Sequence, residues 1–438
     1  MNHPIQPYEW LATISHPYGM KKIEPLNLET FILQHRNDDV RTLALRGAPE
    51  GVDLGVALQQ IQGYQTALQK LPTWAQTEGI LFPPHINMEQ CSSEPTARYK
   101  SSLVEGTTLV DLTGGYGVDF AMMAPHFERA LYVEAQPHLC DLARHNMPLL
   151  GCGHASILNT SCEAFLQHNT NYPEFPNSQI PPFPPGSVAY IDPSRRDTAG
   201  RKVALIQDCT PDICRLQHLI RERFDRCLIK LSPMLDITAA TTALEGIGEV
   251  HIVGVQGECK ELLLVMRGRE EHNNTSTPCT IHCVDLPRHA TPFIFTREEE
   301  RDCTVDYATD IRRDDWLYQP HASILKGGAF RCVAHRYGLQ KVAPMSHLYI
   351  GQTDAGRDEF PGTCHRVEDV STFGKKELKA FLRDIPAADI TTRGFPLTAE
   401  QLRQQLRLRQ DTRIHLFATT LSSGQRILIR TSLAQKNT

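Results

Sequence analysis

The residues in this chain whose types and spacing suit chemistry fall in three stretches, each an apolar run that ends in small or charged groups. The first is Val110-Asp111-Leu112-Thr113-Gly114-Gly115-Tyr116-Gly117-Val118-Asp119. Glycine permits positive φ and puts no Cβ between main chain and ligand, so a bulky nucleotide-like molecule can lie directly on such a turn. Glu134 comes 17 positions after Gly117, near the offset of about 20 at which a carboxylate meets ribose hydroxyls. Its alternative role is to cap the next helix. The second stretch runs Ser187-Val188-Ala189-Tyr190-Ile191 into Asp192-Pro193-Ser194-Arg195-Arg196-Asp197, and the third runs Arg226 to Leu231 into Ser232-Pro233-Met234-Leu235-Asp236. Ligands of open parallel sheets bind at the C-terminal strand ends, so Asp192, Arg195 and Arg196 are expected in the same cleft as the glycine turn. The guanidinium forks suit phosphate oxygens, the alternative being pairing with Asp197 or Asp208.

The elements that must position these groups read as α/β. Leu109 to Leu112, Val118 to Phe127 and Ala130 to Glu134 form a strand, glycine turn, helix and strand. A helix from Pro137 to Leu150, a strand at Ser156 to Leu158, a helix from Cys162 to Gln167, a proline-rich loop from Tyr172 to Gly186, and strands at Ser187 to Ile191 and Arg226 to Leu231 come next. Val250 to Gln256 and Leu262 to Arg267 read as a closing hairpin, and Asn273 to Pro278 as a linker. Upstream, Leu28, Phe31 and Ile32, then Leu54, Leu58, Ile61, Leu68 and Leu71, recur at helical spacing and suggest a platform packed on the downstream strands and helices. Ser93 before Glu94-Pro95 reads as a helix start, with Ser92, Ser93 and Thr96 either capping it or facing an anion. Beyond the linker, short alternating runs at Thr280 to Val284 and Pro292 to Thr296 precede a helix from Ser323 to Tyr337, strands at His347 to Ile350 and His365 to Val370, and a helix from Lys375 to Ile385. A strand near Ile390, a helix from Thr398 to Arg409 and strands at Arg413 to Thr420 and Arg426 to Ile429 complete it. The divisions expected are 1–85, 86–272, 279–319 and 320–438.

The 438 residues carry a formal charge of -5 and a pI near 6.4, against a protein that coats nucleic acid everywhere. The charge is uneven: from Ser276 onward there are 23 Lys and Arg against 19 Asp and Glu, and from Lys376 onward 11 against 5. A basic tail on an acidic body is compatible with RNA or DNA, or with a solvated charged face. The 13 cysteines are scattered without a dense framework and no signal-peptide pattern opens the chain, so reduced thiols and a cytoplasmic location are expected. Cys279, His282 and Cys283 find no second ligand pair at usable spacing, so no metal is expected. No apolar run approaches the roughly 20 residues of a spanning helix, so no membrane partner is expected.

Taken together, Asp111 to Gly117, Glu134, Ile191-Asp192-Pro193 and the terminal hairpin resemble the class I S-adenosylmethionine-dependent methyltransferases. The chain is most similar to the bacterial group of candidate methyltransferases with a C-terminal THUMP-like domain. That group's recurring segments stand here as Glu89 to Glu94, Asp192 to Arg196, Lys230 to Asp236, Glu258 to Leu262 and Thr391-Thr392-Arg393-Gly394-Phe395-Pro396. The resemblance implies a Rossmann-like seven-stranded methyltransferase domain, an N-terminal helical region and C-terminal α+β domains, ferredoxin-like (279–319) and THUMP-like (320–438). It implies S-adenosyl-L-methionine held by Asp111, Thr113, Gly114, Gly115, Gly117, Asp119, Glu134, Ala135 and Cys162, with Glu134 on the ribose. An acid that many relatives place after the third strand is replaced by Ser161, Cys162 and Glu163. Catalysis falls to Asp192, Pro193, Ser194 and Arg195, where Ser194-Arg195 replaces the proline and aromatic of amino-group methylases. Arg196, Lys230, Ser232, Asp236, Lys376 and Arg393 are the expected substrate contacts, with Lys375, Lys379, Arg407 and Arg409 further basic candidates in the tail.

The resemblance implies an enzyme methylating structured RNA, tRNA or rRNA, delivered by the THUMP-like domain. Two alternatives stay open at this level: an RNA-binding protein whose methyltransferase fold has lost catalysis, and a methyltransferase for a protein or small molecule. Cys209 and Cys259 are nucleophile candidates by default alone.

Overall fold

The computed structural model describes residues 25–167, 183–194, 205–268, 278–352, 359–411 and 413–433. Arg195, Arg196, Asp197, most of the proline-rich stretch and the linker from Asn273 to Thr277 lie outside these described residues. The chain divides into two units, residues 1–248 with 263–277, and residues 249–262 with 278–438.

Among the described residues the first unit opens with six helices, α1 (Pro25–His35), α2 (Val40–Arg46), α3 (Leu54–Lys70), α4 (Pro72–Gln76), α5 (His85–Gln90) and α6 (Glu94–Ser101). Asp39 and Asp53 start α2 and α3 by accepting the backbone N–H of Thr42 and Val56, which satisfies donors that a helix start leaves bare. Of the expected stripes, Leu28, Phe31, Ile32, Ile61 and Leu71 are buried, the first four together with Leu139 and Leu142 of the later helix α8 (Pro137–Leu149). Leu58 packs against them half-buried, and Leu68 is exposed instead. The chain leaving α4 is pinned by two buried amides. Gln60 exchanges two 2.9 Å hydrogen bonds with the backbone of Phe82. Asn146 of α8 does the same for Leu81, at 3.0 and 2.9 Å. Gly63 sits inside α3 because a Cβ there would lie 2.2 Å from Phe82 Cβ.

After these helices come β1 (Gly106–Asp111), α7 (Val118–Met123), β2 (Phe127–Glu134), α8, β3 (Ala155–Asn159), α9 (Cys162–Gln167), β4 (Ser187–Ile191), α10 (Ile213–Arg223), β5 (Arg226–Leu231), α11 (Ile237–Ala243), β6 (Ile247–Val255) and β7 (Glu258–Arg267). The strand order is β3-β2-β1-β4-β5-β7-β6, and β1 pairs in parallel with β2 on one side and β4 on the other. The order reverses at β1, so the crevice beyond the ends of β1 and β4 is the topological switch point where such sheets bind ligands. The helix after the glycine turn is shorter than its pattern suggests. It ends at Met123, and Ala124–His126 forms a 3-10 turn around Pro125, because proline removes a helical donor.

In the second unit β6 pairs from Glu249 to Val255 in parallel with β8 (Thr280–Leu286), itself antiparallel to β9 (His289–Thr296), so the sheet order continues through β8 and β9 to nine strands among the described residues. Then come α12 (Arg297–Asp302), β10 (Trp316–Pro320), α13 (Ala322–Gly327), α14 (Phe330–Tyr337), β11 (Gln340–Lys341), β12 (Tyr349–Gly351), β13 (Gly362–Thr372), α15 (Lys375–Phe381), β14 (Asp389–Arg393), α16 (Ala399–Leu406), β15 (His415–Thr420) and β16 (Arg426–Leu433). The seven strands after α12 form one sheet, β11-β12-β10-β13-β16-β15-β14. One face carries Leu317, Val367, Phe417 and Ile429 in an apolar core, and Ile390, Leu416 and Leu428 form a second core with Phe381 and Leu402 of α15 and α16. The single helix expected from Ser323 to Tyr337 is two. Gly328 turns with φ 78 to end α13, and a Cβ at Gly327 would lie 2.8 Å from Cys283 Sγ. Among the described residues no helix is long and apolar enough to cross a membrane.

Asn146→Ala leaves the buried Leu81 N–H and, in part, its carbonyl without partners. It is expected to lower stability by about 2–4 kcal/mol, read from urea denaturation. A loss below about 0.5 kcal/mol would show that the amide pair does not fasten this segment.

Candidate active site at the end of β1

The glycine turn is held from beneath by groups that the local sequence does not show. Gly114 N–H donates to Val133 O at 2.9 Å and Gly117 N–H to Gly114 O at 2.9 Å, closing the loop against β2. Gly115 and Gly117 take φ +59 and +84, conformations that cost a residue with a Cβ. A Cβ at Gly114 would lie 2.2 Å from the Tyr132 ring, whose hydroxyl donates to Gly115 O. Tyr116 turns inward, donating to Leu81 O at 3.0 Å with its ring 4.6 Å from Trp74. The N-terminal helices thus position the turn, the platform role expected of them.

Above Gly115 the loop is open: the nearest atom to a Cβ there is Thr113 O at 3.7 Å. Gly115 N–H donates to Glu134 Oε2 at 2.9 Å and Gln136 N–H to Glu134 Oε1 at 2.8 Å. Gln136 is the residue before α8, so Glu134 does secure that helix start. Each carboxylate oxygen has a further lone pair for a ligand hydroxyl. Next to it, the Asn159 amide donates to Glu134 O and Ala135 O at 2.9 and 3.1 Å. Cys162 is buried at the start of α9 with its thiol pKa pushed up by burial. The Asn159 amide, not the Cys162 side chain, is the polar group at that edge.

Asp111 is buried at the strand end and accepts Thr113 N–H at 3.0 Å. Burial raises its carboxyl well above the usual value; the Thr113 N–H opposes this, and the charges of Asp119, Asp192 and Glu134 add to it. Thr113 Oγ1 accepts the Asp192 N–H at 2.7 Å, tying the end of β4 to the turn. Asp192 Oδ2 accepts Lys230 Nζ at 2.5 Å. Burial raises the Asp192 carboxyl despite this lysine. Ser194 bridges to Thr210 through backbone bonds of 2.7 and 2.9 Å.

Beneath this corner lies Asp119, whose Oδ2 accepts Tyr190 OH at 2.6 Å and Ser92 Oγ at 2.7 Å, while Lys100 Nζ stands 3.1 Å from Oδ1. Burial would raise this carboxyl, yet the Lys100 and Lys230 ammoniums and the two hydroxyls outweigh it and its pKa lies below the usual value. Ser92 therefore faces Asp119. Ser93 precedes α6 without a side-chain capping bond, and Thr96 donates to Ser93 O at 2.9 Å. The capping expected of these hydroxyls is absent: Ser92 is taken up by the buried carboxylate, and Ser93 and Thr96 contact each other. Lys100, Tyr132 and Tyr190 are site residues that sequence reasoning misses. The signal that could have found Lys100 is its place on the face of α6 that also buries Thr96 and Ala97.

The other expected site residues fall elsewhere. Ser232 Oγ accepts Met234 N–H at 3.2 Å and Asp236 accepts Ala239 N–H at 2.7 Å as the start of α11, so both shape the turn after β5. Lys376 and Arg393 lie on α15 and β14 of the second unit. Arg195 and Arg196 lie outside the described residues. Cys209 is buried, and burial pushes Cys259 up to about 11, so neither presents an activated thiolate. Alternation along β8 places His282 opposite Cys279 and Cys283. It stacks on His251 at 4.3 Å with Glu249 alongside.

A parallel sheet with a reversal at β1, bare backbone at the turn and a carboxylate closing β2 define a nucleotide-cofactor enzyme of the class I methyltransferase type. Comparison with known proteins carries this further. Residues 362–432 match the family described as THUMP domain-like and residues 316–361 the family described as ferredoxin-like domain. A crystal structure of a candidate methyltransferase from Porphyromonas gingivalis W83 is 31% identical and superposes with a TM-score of 0.79, covering 95% of this chain and 100% of that one. An uncharacterised S-adenosylmethionine-dependent methyltransferase from Mycobacterium tuberculosis is 24% identical over 341 residues, 77% of this chain and 84% of the relative. The chain belongs to the S-adenosylmethionine-dependent methyltransferases that carry C-terminal ferredoxin-like and THUMP-like domains. It is a methyltransferase, and S-adenosylmethionine is its cofactor.

Gly114→Ala and Gly115→Ala separate the two demands on the turn. The first drives a methyl into the Tyr132 ring and is expected to cost about 1–3 kcal/mol. The second, with open space above it, is expected to cost about 1–2 kcal/mol for its left-handed φ and to weaken cofactor binding. Denaturation with calorimetric titration of S-adenosylhomocysteine reads both; unaltered affinity in Gly115→Ala would show that the cofactor does not lie on this backbone.

Proposed function

We propose that this methyltransferase acts on structured RNA, tRNA or rRNA, which the THUMP-like domain delivers to the crevice at the end of β4. The observation that carries the assignment of the acceptor corner is the 2.7 Å bond from Asp192 N–H to Thr113 Oγ1. It sets a carboxylate on one strand directly beside the cofactor turn on its neighbour. The open face of Gly115, with 3.7 Å to the nearest atom, suits a cofactor lying on the main chain.

In this reading Asp111, Thr113, Gly114, Gly115 and Gly117 cradle the methionine part, Glu134 accepts hydrogen bonds from the ribose, and Ala135 and the edge near Asn159 and Cys162 border the base. Asp119 holds the shape of the site through Lys100, Ser92 and Tyr190. The bound cofactor supplies an electrophilic methyl group on a sulfonium. Displacement at that carbon requires an aligned lone pair and a place for the acceptor's proton. Asp192 serves both needs: by accepting the acceptor's N–H or O–H it orients the acceptor's own lone pair on the methyl carbon, and it takes that proton. Lys230 fixes Oδ2, and the raised pKa of Asp192 brings its carboxylate closer to a useful base. Pro193 and Ser194 hold the backbone that presents it. Arg195 and Arg196 come next in sequence as phosphate contacts, and Ser232 and Asp236 shape the neighbouring turn.

RNA as the substrate is supported by the THUMP-like family match and by the basic surplus after Lys376, 11 against 5. THUMP domains of RNA-modifying enzymes bind RNA, and Lys376 and Arg393 are the proposed contacts here. Transfer of labelled methyl from S-adenosylmethionine to total RNA, lost in Asp192→Ala, tests this reading; methyl incorporation into protein alone would overturn it. Glu134→Ala is expected to weaken S-adenosylhomocysteine binding by about 1–3 kcal/mol with a smaller effect on thermal stability. Unaltered affinity in calorimetry would leave Glu134 with only its role at the start of α8.

A further inference from the structure

The second unit holds a cavity of about 620 Å³ that the methyl-transfer chemistry does not use. Its floor is one face of the seven-stranded sheet. Gln319 pairs with Thr363, and Leu317 with His365, across β10 and β13. His415 pairs with Asp389, and Phe417 with Thr391, across β14 and β15. By strand alternation Thr363, His365, His415, Thr391 and Arg393 share the face that continues into the apolar row of Leu317, Val367 and Phe417. At the cavity the same face turns polar. His321, next to α13, forms part of the wall.

Three buried polar atoms in this wall lack partners. The Ser323 hydroxyl gives its proton to Val284 O at 2.9 Å, so at 2.7 Å from His321 Nδ1 its oxygen accepts the imidazole N–H. His321 Nε2 is then a bare lone pair, and it finds no donor. His365 Nε2 meets Thr363 Oγ1 at 3.1 Å while its Nδ1 has no partner. Both side chains are more than nine-tenths buried, at 7% and 3% exposure. Arg393 donates from Nη1 to Thr392 O at 3.2 Å, but its Nε is unpartnered and no carboxylate pairs with it among the described residues. Burial alone acts on this guanidinium, lowering its pKa, without an acid to hold it up. A half-buried cation without an anion is partly desolvated at a cost, so a ligand carrying one is the natural complement.

The histidines do not make a metal site. Among the described residues the sole group of three or more metal-type ligands that converges is Glu249, His251 and His282. Burial, with His289 and His415 respectively, pulls His321 down to about 3 and His365 to about 4, so both rings are neutral at pH 7. The His415 ring stacks on Phe417 at 4.4 Å and lies 5.3 Å from His365, edge to face. Flat neutral rings beside a lone arginine suit a planar base with a phosphate attached. The volume lies within the range of pockets for ligands of that size, roughly 300–1,000 Å³.

We propose that this cavity binds a single nucleotide, its phosphate on Arg393 and its base against the imidazole wall. The nucleotide is either free or one residue of an RNA strand. The strand-borne form rests on the RNA substrate reading; the site itself does not.

The test uses the full chain, with calorimetric titration of AMP, GMP, CMP, UMP and inorganic phosphate, and in parallel of a single-stranded RNA octamer. At least one nucleotide or the octamer is expected to bind, and Arg393→Gln to weaken that binding by at least about tenfold. Affinity for S-adenosylhomocysteine and the melting temperature should stay near wild type. Ala322→Phe, which fills the cavity from the partly exposed first position of α13, should do the same if Arg393→Gln proves unstable. Binding of free nucleotides identifies the free form; binding of the octamer alone identifies the strand. Binding unaffected by both variants, no binding of any nucleotide or RNA, or phosphate binding as tightly as every nucleotide would overturn the proposal. RNA methylated at wild-type rate by both variants, with undiminished RNA binding, would sink this site and leave the substrate reading standing. Arg393-dependent nucleotide binding in a protein that methylates no RNA would do the reverse.

Discussion

The first unit depends on keeping one carboxylate charged away from water. Asp119 comes two residues after the glycine turn, and its partners are Ser92 just before α6, Lys100 within α6 and Tyr190 of β4, Ser92 lying 27 positions before it and Tyr190 71 after it. Breaking such a pair by removing one partner costs about 3–5 kcal/mol, so α6, α7 and β4 are expected to hold position together. The Lys100 ammonium, fully buried, also donates to Ser92 Oγ at 3.1 Å. Together these bonds fix the distance between the segment before β1 and the strand that carries Asp192. They add to the β1–β4 pairing and the Asp192–Thr113 bond, which also hold the donor turn against the acceptor corner.

The same cluster sets the electrostatics. After burial, the charges of Asp119, Asp192 and Glu134 raise the Asp111 carboxyl, and Asp119 raises that of Asp192, while Lys100 and Lys230 only partly answer them. Among the described residues the carboxyl groups of Asp111, Asp119, Asp192 and Glu134 outnumber the two ammoniums, so this part of the crevice favours a positively charged guest. A sulfonium cofactor is such a guest, and methyl transfer discharges it. An electronegative crevice therefore binds the donor more strongly than its neutral sulfide product, which favours release after transfer. The position of Lys230 matters for the same reason. It tempers Asp192 without neutralising the group as a whole.

Legibility in the sequence depends on the range of the interaction involved. The glycine turn and Glu134 can be read because φ and strand-end position are local properties, and the helices of residues 25–70 because burial has a 3.6-residue period. Ser92 misleads because a capping signal and a tertiary hydroxyl look alike in sequence; Asp119, arriving 27 positions later, decides between them. The helix expected from Ser323 to Tyr337 carries its own interruption in Gly327-Gly328. The break itself is the left-handed turn of Gly328, a local signal; what the sequence does not show is why Gly327 precedes it, which is Cys283 Sγ of β8, 2.8 Å from where its Cβ would stand. Lys100 and Tyr190 are silent because a buried lysine is readable only once its acid is in place.

Buried charge in both units is met by an ionic partner or by backbone groups, and that regularity gives weight to the polar cavity. In the first unit Glu94, 5% exposed, is met by Arg98 at 2.6 Å and by Thr73 at 2.6 Å, and Asp192 is met by Lys230. In the second, Asp285 takes the Gly257 N–H on both oxygens at 2.9 and 3.1 Å, and Lys341 donates to Pro344 O at 2.7 Å. Even charges without an ionic partner there receive backbone ones. Arg393 receives one carbonyl for a group with five donors. On a sheet face that a few residues away packs Leu317, Val367 and Phe417, an aliphatic side chain at this position would fold at lower cost. A guanidinium kept there without an acid is better explained by a partner that arrives than by the fold that surrounds it.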